Sequence, residues 1–362
     1  MARRLHIVTA EGWGSRVCWP EGLVTILRMP FSGNTRGADV KQLQRVLCAI
    51  DLSDLSVAPL KTAAALQRWF DSCLTVLHVV PTFDAMEVHN GEWFDPVSIV
   101  YSKRQDEVVE NIRDRAREAG IREDRVRFLA TAGKPATAIL EQAAATRAEL
   151  IVIGTNGLRG IERLLLGSTA DTVLRRAACD VLSVPPRAKR DPARLRTVVC
   201  GVDFSQESIY AVRAAFELSD RVGARVVLIH SVEWLPEEQP ADDLEFSASD
   251  FRARLVHDAQ QRLDALVVEE SPLARAVRVK TATGRAYREI LRVANEEQAD
   301  LIVVGHRGRS GAAVPLLGST VDAIVRGASC PVLTIRAPHE RVEECPAPAA
   351  QATAREPLAA KT

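Results

Sequence analysis

Short runs of consecutive apolar residues recur along the middle of this chain, each followed by an amphipathic or glycine-rich stretch. Residues 46–50 form the first, Leu74 to Val80 the second, Val126 to Thr131 the third, Ile151 to Ile153 the fourth and Val181 to Val184 the fifth. Runs that are apolar on both faces predict strands covered on both sides. Helical stretches lie between them. Ser56 to Asp71 offers Leu60, Ala64, Leu66 and Phe70 to a buried face, and the charged stretch Lys103 to Ala119 turns Val108, Val109, Ile112 and Ala116 inward. Pro135 opens the next helix, where proline is favoured, and a last one runs from about Ser168 to Ala178. Strands alternating with helices predict an α/β fold with a parallel sheet between helical layers. Ligands of such sheets bind beyond the carboxyl ends of the strands, where the strand order reverses. Asp51 ends the first strand and Gly154 the fourth, so both face one crevice if those strands are neighbours.

The same series of elements then recurs. Cys48, Asp51 and His78 are matched 152 residues later by Cys200, Asp203 and His230, while Gly133 and Gly154 are matched 151 residues later by Gly284 and Gly305. The one-residue slip falls between His78 and Gly133, where the halves are least alike. A period this long is a duplicated domain, since solenoid units repeat every 20–50 residues or so. The 362 residues therefore divide into an irregular N-terminal extension (1–43), a first domain (44–186), a linker (187–195), a second domain (196–336) and a disordered tail (337–362). Each domain is long enough to bury its own core.

Composition narrows the function. A net charge of zero gives no general attraction to nucleic acid or membrane. No segment has the length of a membrane span, and Arg3 and Arg4 precede no unbroken apolar run of the kind a signal peptide needs. A cytoplasmic location is expected. Cys48, Cys200, Cys179 and Cys330 recur at equivalent positions and read as small core residues; no CxxC pair suggests zinc or redox chemistry, and no metal site is expected.

The candidate chemistry lies after the fourth strand of each domain. Gly154-Thr155-Asn156-Gly157 is followed after nine residues by Gly167-Ser168, and Gly305-His306-Arg307-Gly308 after nine by Gly318-Ser319. Glycines let backbone approach an anion, and a helix start with a hydroxyl supplies donors, so each copy is a candidate phosphate cradle. The competing reading is a tight turn leading to a helix capped by Ser168 or Ser319. Asp51 and Asp203, with Ser53 and Ser205, are equally suited to capping the following helix. His78 and His230 read as core histidines bonded to backbone rather than catalytic bases. His306 lies within the second loop, with Asn156 taken as its counterpart in the first. Arg159 and Arg309 follow the second glycine of each loop and are candidates for phosphate contact or for plain solvation.

These features resemble the universal stress protein family: the Gly-x2-Gly-x9-Gly-Ser spacing twice over, Val-Asp-Phe-Ser at 202–205, Leu77-His78-Val79-Val80, and Cys-Pro-Val at 330–332. The resemblance spans both repeats. It implies two flavodoxin-like domains of the adenine nucleotide alpha hydrolase-like type, each with a five-stranded parallel sheet, binding ATP, usually with Mg²⁺. Carried over by position, Asp51 and Asp203 border the nucleoside, and Val79 and Ser231 meet adenine. Gly154, Gly157, Gly167 and Ser168 line the ribose and phosphates of the first site, as Gly305, Gly308, Gly318 and Ser319 do for the second. Ala49 and Gly201 replace a proline usual in the family, Ser231 an apolar residue, and Asp180 a proline. The resemblance also implies an intramolecular pseudo-dimer through the fifth strands, with a homodimer as a further option.

The function expected is that of a nucleotide-dependent regulator of the stress response without strong catalysis. One alternative is a nucleotide-hydrolysing or nucleotide-transferring enzyme of the same superfold, although neither loop carries a Lys and neither a His-x-Gly-His nor a Ser-Gly-Gly-x-Asp-Ser string occurs. Another is an interaction module without nucleotide. Pro315, aligned with Leu164, lacks a backbone N–H beside the expected phosphates, so the second site is expected to be the weaker.

Overall fold

A computed structural model of the chain describes residues 7–8, 16–18, 23–26, 43–81, 87–89, 92–94, 96–155, 166–186, 191, 193–233, 248–270, 277–308 and 317–336. Three short strands come first: β1 (Ile7–Val8), β2 (Arg16–Cys18) and β3 (Leu23–Ile26). The first repeat then runs β4 (Arg45–Ile50), α1 (Val57–Phe70), β5 (Cys73–Pro81), β6 (Glu87–His89), β7 (Glu92–Phe94), α2 (Pro96–Glu118), β8 (Val126–Gly133), α3 (Pro135–Ala145), β9 (Leu150–Gly154), α4 (Ser168–Arg176) and β10 (Asp180–Val184). The second repeat is β11 (Thr197–Gly201), α5 (Gln206–Val222), β12 (Arg225–Val232), α6 (Ala248–Glu270), β13 (Val277–Thr283), α7 (Ala286–Glu296), β14 (Leu301–Gly305), α8 (Ser319–Gly327) and β15 (Val332–Ile335).

Each repeat builds five parallel strands in the order third, second, first, fourth, fifth: β8-β5-β4-β9-β10 and β13-β12-β11-β14-β15. The fifth strands pair antiparallel, Val181 with Thr334, Leu182 with Leu333 and Ser183 with Val332. One sheet of thirteen strands results, with β3 adding antiparallel to the edge of β13. Two expectations differ here. The extension 1–43 is not irregular throughout, because β1, β2 and β3 continue the sheet. The helix expected from Lys103 begins at Pro96, a residue suited to a first turn. Residues 337–362 lie outside the described residues.

Side-chain alternation along the strands builds the core. Val46, Cys48 and Ile50 of β4 face Leu60 and Ala64 of α1 and Ile112 of α2, while Leu47 and Ala49 face Ile139 of α3 and Val173 of α4. Both apolar layers run unbroken from one repeat into the other, since each holds buried residues of both repeats. A ring of charges tightens the seam. Arg175 of α4 pairs with Asp171 and reaches Asp322 of α8; Arg326 pairs with Asp322 and reaches Asp171.

Candidate functional site

The first and fourth strands are neighbours in both repeats, with Ala49 opposite Ile153 and Cys200 opposite Val303. The chain leaves the first strand toward one edge of the sheet and returns to the other, so the strand order reverses at this pair. Because β10 and β15 run antiparallel, the two crevices open at opposite ends of the sheet. Asp51 and Asp203 follow the first strands directly. The next residue of each, Leu52 at φ 59° and Phe204 at φ 62°, is left-handed, a conformation uncommon for side chains of this size. That sharp turn brings the following serine back to the carboxylate. Asp51 Oδ1 accepts from Ser53 N at 3.0 Å, Ser53 Oγ at 2.6 Å and Ser56 Oγ at 2.6 Å; Asp203 Oδ1 accepts from Ser205 N at 2.9 Å and from Ser205 Oγ. The serines do the capping: Ser53 Oγ accepts from Leu55 N, and Ser205 Oγ accepts from Ser208 N at the start of α5.

The second carboxylate oxygen has a different place. Asp51 Oδ2 is buried without a hydrogen-bond partner among the described residues. Burial opposes ionisation of Asp51, but the bonds from Ser53 and Ser56 outweigh it and hold the carboxyl below its ordinary range. In the second repeat Gly308 sits against Asp203: a Cβ there would lie 2.6 Å from Asp203 Oδ2. Glycine is what lets this loop meet this carboxylate. Gly305 is held as closely, since its Cβ would lie 2.9 Å from the Glu207 carbonyl carbon. Gly318 is unlike these two. Its Cβ would meet His306 O at 3.5 Å and Val321 at 3.7 Å, ordinary contacts, so the described fold alone makes no demand for glycine there. Gly157, Asn156, Arg159, Arg309 and Pro315 lie outside the described residues.

Two readings of the loops are corrected. Gly167 and Gly318, not Ser168 and Ser319, occupy the N-cap positions, at φ −61° ψ 143° and φ −59° ψ 138°, and the serine that follows is the first helical residue. Neither serine hydroxyl has a hydrogen-bond partner among the described residues, so both remain available at a helix start. His306 corresponds to Thr155, not to Asn156. His306 N donates to Ile335 O and its carbonyl accepts from Gly318 N, as Thr155 N donates to Val184 O and its carbonyl accepts from Gly167 N. His306 is 1% exposed, with both ring nitrogens unpartnered among the described residues.

Val79 and Ser231 are buried on the second strands, and Ser231 Oγ donates to Gly284 O at 2.7 Å, so its hydroxyl is satisfied by its own fold. His78 Nδ1 lies 3.0 Å from Ile50 O and His230 Nδ1 2.7 Å from Val202 O, which ties each ring to the end of the neighbouring first strand. Glu207 was not singled out by the sequence reading. Its carboxylate accepts from Arg307 N inside the second loop, where the first repeat has Leu55. An acid replacing an apolar residue at equivalent positions was the available signal. Among the described residues no group of three His, Cys, Asp or Glu side chains could hold a metal ion, and no helix is long and apolar enough to cross a membrane.

The model of the universal stress protein family matches residues 42–185 and 194–336, both repeats almost entirely. The chain belongs to the universal stress protein family. A universal stress protein of Mycobacterium tuberculosis is 31% identical over 198 residues, which span 52% of this chain and 62% of that relative. One of Methanocaldococcus jannaschii is 31% identical over 142 residues, 39% of this chain and 81% of that protein. The crystal structure of a universal stress protein from Archaeoglobus fulgidus superimposes with a TM-score of 0.59 at 21% identity, covering 82% of this chain and 99% of that one, a likeness of fold. Two flavodoxin-like universal stress domains in tandem are thus the architecture.

Proposed function

We propose that this universal stress protein is a nucleotide-dependent regulator that binds ATP with Mg²⁺ in each repeat, without strong catalysis. The observation that carries the reading is the duplicated crevice: in both repeats the first and fourth strands are neighbours where strand order reverses, and in the second a Cβ on Gly308 would lie 2.6 Å from Asp203 Oδ2, so the glycine loop stands against the strand-one carboxylate. The donor set suits a phosphate chain. Ser168 and Ser319 keep their hydroxyls at helix starts, where backbone N–H groups also point outward. Asp51 Oδ2, buried and unpartnered, suits a ribose hydroxyl or a hydrated Mg²⁺. Among the described residues of the loops the one histidine, His306, is enclosed, which fits a signal read from occupancy rather than from turnover.

Calorimetry with ATP tests the reading. Two equivalents per chain are expected, with turnover well under about 1 s⁻¹. Gly167→Val and Gly318→Val together should abolish binding while circular dichroism stays native, because a branched side chain fills the phosphate space, and at Gly318 its Cβ meets only ordinary contacts in the fold. Unchanged affinity in the double variant would overturn the assignment.

A further inference from the structure

A cavity of about 310 Å³ lies in the seam between the repeats, on the face of β10 and β15 covered by α1 and α5. Leu66, Trp69 and Phe70 of α1 line it from one side, Leu218 of α5 from the other, and Leu182 and Leu333 form its floor. Its volume falls at the lower end of the range of ligand sites, about 300–1,000 Å³, and domain seams are common places for them. Neither glycine loop contributes to its wall, and neither do Asp51 and Asp203.

The charges of the wall are one-sided. Glu149, Asp180, Asp191, Glu217 and Asp300 line the cavity, and among the described residues no Lys or Arg does. Four of these acids are engaged by backbone N–H groups: Glu149 by Gln44 and Arg45, Asp180 by Arg336, Asp191 by Ala193, and Asp300 by Arg196 and Thr197. Glu217 is the exception, with no hydrogen-bond partner among the described residues. Among the described residues the opposite charge acting on it is Arg221, one turn along α5, whose guanidinium lies over the Phe70 ring at 5.3 Å. Burial pushes the Glu217 carboxyl up to about 7 against the pull of Arg221. The equivalent residue of the first repeat is Ala65, which is fully buried, so the cavity carries this acid on one side only.

We propose that this cavity is a second ligand site, separate from the nucleotide crevices, that takes a small amphiphile with an apolar body and a single protonated amine. The body packs on Leu66, Trp69 and Phe70, and the ammonium donates to Glu217. A carboxylate head is disfavoured by five acids, and a neutral head leaves Glu217 without a charged partner.

The test titrates the full chain at pH 8, where Glu217 and the amine are both charged, with n-decylamine, n-decanol and decanoate. Calorimetry and tryptophan fluorescence are read together, with Trp69→Phe identifying the responding indole among the five tryptophans. Expected is one saturable site for decylamine, at least about tenfold tighter than decanol, the scale of a charge-assisted hydrogen bond, and no binding of decanoate. Glu217→Gln keeps the shape and should erase the preference for amine over alcohol. Glu217→Ala, which copies the first repeat, should do the same, and Ala214→Phe should remove both ligands by filling the cavity. No saturable binding, a preference that survives Glu217→Gln, or decanoate binding as well as the amine would each overturn the proposal. None of these outcomes touches the ATP site, so the two readings fail separately.

Discussion

Leu182 stands directly opposite Leu333 in the antiparallel pair that joins the repeats, and these two are equivalent residues, 151 positions apart. A pseudo-two-fold axis therefore passes through this pair, with Val181 opposite Thr334 and Ser183 opposite Val332 on either side. Both apolar layers continue across it, so the tandem chain is expected to unfold in a single transition. Leu182→Asp places an unpaired charge in that layer and should cost more than about 3 kcal/mol. The expected urea curve splits in two, one phase per repeat. A single transition at the original midpoint would show that the seam carries no stability.

His306 gives the chain an acid-sensitive point. Burial, then the positive charges of Arg336, Arg307 and Arg175, lower its ring from an ordinary 6.5 to about 3. The unfolded state therefore binds the proton first as pH falls below 6.5, and stability drops through the window from 6.5 toward 3. Near pH 4.5 the loss amounts to about 2–3 kcal/mol. His306→Thr, the residue of the first repeat, should flatten this part of the stability profile. Thermal melts of both proteins between neutral pH and pH 4.5 or so check it; parallel profiles would refute it.

Asp180 has the opposite sign. Burial raises its carboxyl from 3.8 to about 6, although its Oδ1 accepts from Arg336 N at 2.8 Å. The native state then holds the proton that the unfolded state has lost, so stability declines as pH rises from 3.8 to about 6, and the full cost persists above. Asp180→Asn keeps the acceptor and removes the charge. After discounting for residual solvent contact, a gain of about 1–2 kcal/mol is expected at pH 7.5 or so, shrinking to nothing near pH 4. Urea midpoints at the two pH values decide the matter.

The two nucleotide sites are expected to be unequal. In the second, the Glu207 carboxylate occupies the Arg307 N–H and places a negative charge beside the loop; in the first, Leu55 stands at that position. Glu207→Leu should tighten ATP at the second site by roughly five- to tenfold, the scale of one hydrogen bond. Equal affinities in wild type, unchanged in the variant, would remove Glu207 from the account.

Gly308→Ala probes the same crevice from the other side. Its new methyl would fall 2.6 Å from Asp203 Oδ2, and the carboxylate must swing away. Weaker ATP binding at the second site with a native circular dichroism spectrum is the expected outcome, with a loss of about 1 kcal/mol or more. Gly318→Ala should be close to silent on stability, because its Cβ meets only ordinary contacts.

By itself the sequence determined the duplication, the five strands of each repeat and the place of the crevice. Apolar runs of about five residues, too short for helices and set between helical stretches, read as strands covered on both faces, and a repeat of 151 or 152 residues gives both halves the same architecture. The glycine spacing and the two aspartates were legible for the same reason: each is a local pattern. Only the tertiary structure decided what each residue does there. Which residue caps α4 and α8 depends on backbone angles at Gly167 and Gly318, and periodicity says nothing of these. That the His306 ring is buried without a partner among the described residues depends on elements far away in sequence. The grip of Glu207 on Arg307, 100 residues later, and the cavity under Leu182 and Leu333 arise where segments distant along the chain pack together. Hydrophobic pattern specifies which face of an element is buried, but the partner it is buried against, and any space left between them, is a property of the assembled fold.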